Sequence, residues 1–404
     1  MRVLLVLVIA TISWMQVSAQ SLCSGIVTGP GGKPLAMAHV ALLTPDAASV
    51  LQVVQAAPTG AFSVSIPHPG FWILRFTGVG YADHSVALLA EDDEPVELRV
   101  ALGCHRYFPG ELKVTVIGDF NVWNIISAVL LKKQKTGVYS AEIKVKTDSI
   151  TFRLRGCRDR ESVEGVRDVA YVLNNDGTYN ARTKTTNGVA TITFDESLLD
   201  RSGATSKEVF VGASRRTKNI ADAASLWWKG DDEYLAARLA AGRSRKALDS
   251  TMFNWRPRLA RLFQMEEAER DTLVRSVLAL AYISTSIKAR ISDVASSTKC
   301  MEQLAPSSAA WTLNPSVISR AVRNTSWEEP RREAYIHAIL TSQPDRTVKE
   351  AVLFNEFTIA WLSEQKDKAA GYYDILTTEY ADTPMGKMVR EKYSRPGTLP
   401  KGKK

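Results

Sequence analysis

Chemistry needs paired groups, and histidine and cysteine are the side chains best able to supply them near neutral pH. The histidines are His39, His68, His84, His105 and His337, and the cysteines are Cys23, Cys104, Cys157 and Cys300. None has the spacing of a zinc site, and no His-Glu-x-x-His occurs. The chain also lacks a Cys-x-x-Cys pair, a Gly-x-Ser-x-Gly elbow, a phosphate-binding Gly loop ending in Gly-Lys-Ser/Thr and a dinucleotide fingerprint. Cys104-His105 sets a thiol beside an imidazole, a combination that can activate sulfur. Neighbours in a strand point to opposite faces, however, so this pair reads as structural. Asp92-Asp93-Glu94 reads as a solvated turn that could hold a cation only weakly. Trp227-Trp228 would sit 100° apart on a helix, one in the core and one partly exposed, where an exposed Trp can mark an interface. No catalytic residue, metal ligand or cofactor is expected.

The elements that would position such groups come in an exported, multi-domain α+β chain. Met1-Arg2 precedes an apolar run from Val3 to Val17, and Val17-Ser18-Ala19 offers the small residues of a cleavage site. Residues 1–19 are therefore expected to be a signal peptide, removed before Gln20, leaving a periplasmic or extracellular protein with no integral membrane span. The run is short for a bilayer span of roughly 20 residues. The 404 residues and 45% apolar content imply packed domains, about two to four of them. Residues 20–103 hold Lys33, Arg75 and Arg99 against Asp46, Asp83, Glu91, Asp92, Asp93, Glu94 and Glu97, so the overall charge of +8 resides in the remainder. There the basic residues are interspersed with acidic ones. With no basic stripe carrying aromatics, nucleic acid is not expected as a partner. Export implies an oxidising compartment, which makes Cys23, Cys104 and Cys157 disulfide candidates, with Cys300 free and buried. The sequence does not choose the pairing.

Residues 20–103 read as short strands separated by Gly/Pro turns: 22–28, 38–43, 61–66, 71–76, 85–89 and 96–102. Gly25-x-Val27, Gly32-Lys33-Pro34-Leu35, Val40, Gly60-x-Phe62, Pro69-Gly70-Phe71 and Gly80-Tyr81 resemble the pattern of the carboxypeptidase regulatory-like, transthyretin-like domain. The resemblance implies a β-sandwich scaffold, with Phe62 and Phe71 filling it, and no chemistry. Residues 104–200 read as a second β module. Gly118-Asp119-Phe120-Asn121-x-Trp123, followed by Gly137-x-Tyr139 before a strand, resembles the early-set, glycogen-binding-type module. That likeness implies a Trp123 packed mostly in the core. It makes Trp123, Tyr139 and Lys132, with Lys133, the candidates for glycan contact. Asn174-Asn175-Asp176-Gly177 between two apolar runs predicts a hairpin, taken as an extension of this module.

Residues 215–393 read as helical. Glu266–Leu304 shows one long amphipathic face through Leu273, Val277, Leu280, Ile287, Ile291 and Val294. Lys368-Ala369-x-x-Tyr372-x-x-Leu376 and Thr383-Pro384 resemble tetratricopeptide-like hairpins, though no 34-residue period runs through the chain. Residues 394–404 are rich in Pro, Gly and Lys and read as a disordered tail or linker. The order of signal, β modules and helices is similar to the region preceding the thioredoxin domain in TlpA-like thiol:disulfide reductases, which implies that a redox Cys-x-x-Cys would lie beyond Lys404. Three functions follow: a non-catalytic binding or assembly protein of the cell envelope with a protein partner, a severed reductase, or a glycan binder. The export reading is checked by the intact mass and N-terminal sequence of the secreted form. The chain is expected to begin at Gln20, and a retained leader would replace export with anchoring.

Overall fold

In a computed structural model of the chain, residues 21–91, 95–108, 111–158, 160–241 and 253–397 are described. The expected leader, Asp92-Asp93-Glu94 and residues 398–404 of the expected tail lie outside them. The described chain is α+β: strands in four sheets, followed by helices.

Ser21–Thr28 (β1), His39–Leu43 (β2), Val50–Gln55 (β3), Ala61–Ile66 (β4), Gly70–Gly78 (β5), Tyr81–Ala90 (β6) and Val96–Ala101 (β7) form the first sandwich. One sheet holds β7, β1 and β4, and the other runs β3-β2-β5-β6. The strict alternation of β4 puts Phe62, Val64 and Ile66 into the space between them, against Leu42, Trp72, Leu74, Phe76 and Leu88. β3 escapes the sequence reading because it is a half-exposed edge strand carrying two glutamines. Phe71 departs from expectation. It is one residue out of phase with Trp72, so the pleat turns it to the outer face of the sheet, where it packs with the helices.

The second sandwich comprises Thr115–Gly118 (β8), Val129–Leu130 (β9), Lys132–Lys135 (β10), Val138–Lys144 (β11), Ser149–Arg155 (β12), Ala170–Leu173 (β13), Tyr179–Lys184 (β14) and Val189–Asp195 (β15). Its sheets are β13-β14-β12-β8-β9 and β10-β11-β15. The 174–177 hairpin forms as expected between β13 and β14, with Gly177 at φ +77°. It is not an appendage: β14 pairs with β12, and the chain then turns at Asn187-Gly188 so that β15 pairs with β11 in the opposite sheet. Lys207–Gly212 (β16), for which the sequence predicts no element, returns to the first sandwich and pairs antiparallel with β7. The second sandwich is thus inserted into the first.

Arg215–Ala241 (α1) lies against β6; Thr217 Oγ1 donates to Leu89 O at 3.1 Å, and Ile220, Ala223 and Trp227 join Phe71, Ala87 and Leu89 in one core. Trp227 is buried and Trp228 half-buried, packed on Ala41, Leu43 and Ile73. Arg256–Ala268 (α2), Thr272–Ala289 (α3) and Val294–Glu302 (α4) replace the single long face expected over 266–304. Asp271 and Asp293 cap α3 and α4 by accepting backbone amides, and Arg290 ends α3 in the left-handed region, so three helices share one apolar pattern. Ile318–Arg323 (α5), Glu329–Ser342 (α6) and Arg346–Leu362 (α7) follow, Pro330 falling in the first turn of α6. Lys366–Thr378 (α8) and Pro384–Lys392 (α9) pack on α7 around Phe357, Leu376 and Val389. Arg323 makes a two-pronged ion pair with the nearly buried Glu356, both bonds 2.7 Å.

Gly25 on β1 is where the sandwich is tightest. A Cβ there would come within 1.7 Å of Leu98 O on β7, which is backbone and has no way to yield. Gly25→Ala is expected to cost about 3 kcal/mol. The thermal midpoint of the β half checks it, and an unchanged midpoint would mean that β1 and β7 are not this close.

Candidate functional site

The two sandwiches meet at a seam made by the 174–177 hairpin. Its carbonyls accept from the first sandwich: Thr77 Oγ1 donates to Gly177 O at 2.9 Å, and Arg75 donates to Asp176 O. The Tyr179 hydroxyl donates to Met37 O and meets His39 Nδ1. The second sandwich therefore rests on the outer face of β2 and β5.

Beside this seam opens a cleft of about 560 Å³. Its walls carry Arg75 from β5, Arg153 and Arg155 from the outward face of β12, and Arg158 and Arg160 from the segment after it. Asp83, Glu161, Glu164 and His105 also face it. At its base the buried His105 and Glu164 meet the half-buried Arg158: His105 Nε2 lies 3.1 Å from Glu164 Oε1, and Arg158 Nε lies 3.7 Å from Glu164 Oε2. Burial by itself would push the Glu164 carboxyl up, but the His105 hydrogen bond and the Arg158 charge outweigh it and hold it below its ordinary value. The 3.7 Å separation is an ion pair and too long for a hydrogen bond, so Glu164 Oε2 and Arg158 Nε are left without hydrogen-bond partners. Ser162 Oγ, 2% exposed, and Arg75 Nε lack partners as well. Four polar atoms short of partners around one cleft are unusual in a packed protein and mark where a ligand can supply bonds.

The arginines are not equivalent. Arg153 is committed, donating to Asn180 Oδ1 at 2.6 Å, Thr178 Oγ1 at 2.7 Å and Glu161 Oε2 at 3.2 Å. Arg155 and Arg160 pair with no described carboxylate, so the described walls carry a surplus of positive charge. A half-enclosed cationic site favours an anion, because each arginine presents planar donors that match carboxylate and phosphate oxygens.

The glycan candidates do not converge. Trp123 is 38% exposed, so it is not the core residue its resemblance implies; its ring lies over Arg153, 5.8 Å away. Tyr139 is buried beside Phe194 and donates to Glu196 Oε1 at 3.1 Å, which leaves no face for a sugar. Lys132 is exposed on β10, in the sheet opposite the one that Trp123 covers, and Lys133 pairs with Glu111 at 2.8 Å. Cys23, Cys104, Cys157 and Cys300 are all free and buried. Cys23 lies in the first core and Cys157 in the second, so these two belong to separate packing units, while Cys104 Sγ sits 3.3 Å from Ser202 Oγ. Burial pushes the Cys23 and Cys157 thiols up to about 12. His105 turns away from Cys104 to Glu164, in keeping with opposite faces. Sequence reading missed the cleft, although the run Arg153-x-Arg155-x-x-Arg158-x-Arg160 signals it.

No protein-family model and no curated protein matches the sequence. Among solved structures, the chain is similar to the TIE protein of Bacillus anthracis at 11% identity, covering 44% of this chain and 43% of that one, with a TM-score of 0.19. It is also similar to a Bacteroides uniformis protein described as carbohydrate-binding, at 9% identity, covering 48% of this chain and 99% of that one, with a TM-score of 0.17. The chain thus aligns with less than half the length of the TIE protein. At such scores neither likeness carries an argument, and no family is assigned.

Glu164→Gln is expected to cost about 3 kcal/mol at neutral pH, because it breaks a buried ion pair from one side. The folded carboxyl sits below its ordinary value, so its contribution is complete above the ordinary value and is lost as pH falls through the lower, folded one. Urea unfolding of the wild type and the variant should therefore differ at neutral pH and converge in acid. A gap that stays constant with pH would remove Glu164 from this role.

Proposed function

We propose that this chain is an exported binding protein of the cell envelope, whose seam cleft takes a small anionic ligand and whose helical half offers a surface to a protein partner. The observation that carries the reading is the cleft itself: Arg155 and Arg160, with no described carboxylate partners, share it with Glu164 Oε2, Arg158 Nε and Ser162 Oγ, which lack hydrogen-bond partners. A ligand bearing a carboxylate or phosphate would satisfy the arginines, and a hydroxyl or amide beside it would reach Ser162 and Glu164. The export signal read at residues 1–19 supports the location. A neutral glycan fits less well, since Trp123, Tyr139 and Lys132 do not form a common face.

Calorimetric titration of the chain from Gln20 onward with citrate, inorganic phosphate, an oligogalacturonate and maltoheptaose separates these readings. At least one anionic probe is expected to bind, with affinity that falls as salt rises. Arg155→Ala/Arg160→Ala is expected to weaken that binding by about tenfold or more, at roughly 1.5–3 kcal/mol per charged hydrogen bond. Binding of maltoheptaose alone, insensitive to these arginines, would overturn the anionic reading in favour of a glycan site elsewhere.

A further inference from the structure

The loop from β8 to β9 shows apolar side chains to solvent. Val122 is 86% exposed, Trp123 38%, Ile125 56% and Ile126 96%. Single exposed apolar residues are ordinary, but four within five positions form a patch that a protein in water has reason to cover. The loop is also held rigid. Asn121 Nδ2 donates to Asn124 O at 3.0 Å and to Ser127 O at 3.1 Å, while Asn121 Oδ1 accepts from Gly118 N at 3.0 Å. Asn124 Oδ1 accepts from Ile126 N at 2.9 Å, and Trp123 N donates to Gly118 O at 2.8 Å. Val122 and Trp123 both take positive φ, 54° and 58°, a costly conformation for a β-branched and a bulky residue. The backbone is bent against local preference, and these side chains are thrown outward as a result.

We propose that this loop is an interfacial anchor that seats the second sandwich on a lipid surface. Three features favour lipid over a protein partner. The patch lies on a loop tip and not in a groove, so it has no concave wall to fit a side chain. The backbone amides of Val122, Trp123, Asn124 and Ile126 and the carbonyls of Asn124 and Ser127 bond within the loop or back to Gly118, so these groups can leave water without being stranded. The types also fit: isoleucine and valine to enter the acyl region, and a Trp stacked on Arg153 to lie at the headgroup level.

Charge at the same end of the sandwich is complementary to anionic headgroups. β8 ends at Gly118 opposite Phe152. Next to that point Arg182 pairs across from Thr151 and Lys184 from Ser149, while Lys144 and Lys146 lead into the turn before β12. All four cations are exposed. Asp148 and Asp168 share this end, but the Asp119 carboxylate is turned onto the Thr151 amide at 2.9 Å. Long basic side chains around an apolar tip can reach phosphates while the tip is buried.

The test is flotation of the chain from Gln20 onward, so that the apolar leader cannot itself hold lipid. The vesicles are phosphatidylcholine alone, or phosphatidylcholine with phosphatidylglycerol. The wild type is expected to float with both and better with the anionic vesicles. Ile125→Asp/Ile126→Asp, at positions exposed enough to leave folding intact, is expected to lose about tenfold or more of the bound fraction on both. Lys144→Glu/Lys146→Glu/Lys184→Glu is expected to lose only the preference for phosphatidylglycerol, which high salt should also remove. The proposal is overturned if the wild type floats with neither vesicle, or if Ile125→Asp/Ile126→Asp floats as well as the wild type. It is also overturned if sedimentation velocity finds a dimer that this variant returns to monomer, since a second copy would then be what covers the patch.

Discussion

Everything in the molecule rests on burying both faces of one sheet, β3-β2-β5-β6. Its inner face fills the first sandwich with Val40, Leu42, Trp72, Leu74, Phe76 and Leu88. The outer face is divided. Phe71, Ile73, Ala87 and Leu89 are covered by helices, while Ala41, Arg75 and Thr77 receive the 174–177 hairpin of the second sandwich. An antiparallel sheet in a single module usually leaves one side to water. Here the burial of β2 along its whole length, and of nearly all of β5, reflects three bodies sharing one platform. Because the hydrophobic term scales with apolar area removed from water, at about 25 cal/mol per Å², the platform couples the stability of all three.

The same arrangement explains why polar groups are buried where they are. Docking one sandwich on another by a hairpin leaves a gap beside the hairpin, since a turn is narrower than a sheet. The residues around that gap come from both bodies: Arg75 from β5, Arg153 and Arg155 from β12, and His105 from the linking segment. Glu164 neutralises part of their charge at the base of the gap, and its neighbours outweigh the cost of burying it. The seam is therefore both a joint and a cationic cleft. The β8–β9 loop leaves from the other end of β12, so the cleft and the apolar tip are separate surfaces, linked through Arg153, which lines one and lies under Trp123 of the other.

Elements with strong local signals were legible in the chain. β4 alternates without exception, the Asn174–Gly177 turn needs the left-handed residue that Gly177 supplies, and the Trp227-Trp228 pair divides into core and boundary as 100° per residue requires. Other elements have weak local signals. β3 and β16 are edge strands with no fully buried residue, so neither shows a clean alternation of buried and exposed positions, and the pairing of β16 depends on β7, far back along the chain. The break of residues 266–304 into three helices turns on caps at Asp271 and Asp293, which periodicity alone does not register. Phe71 was misplaced by one step of the pleat, a consequence of reading a strand as having a single buried face.

The sequence by itself determined the class: β modules ahead of helices, turns where glycine is required, and a basic balance concentrated after residue 103. These follow from local properties, namely side-chain period, backbone freedom and charge. Tertiary structure alone decided that the second sandwich is inserted into the first, that Cys23 and Cys157 lie in separate cores, and that Arg75 and His105 meet Arg153–Arg160 and Glu164 around one cleft. The physical reason is distance along the chain. A site assembled from segments distant along the chain has no periodicity to announce it, and only the burial of a shared sheet brings its parts together.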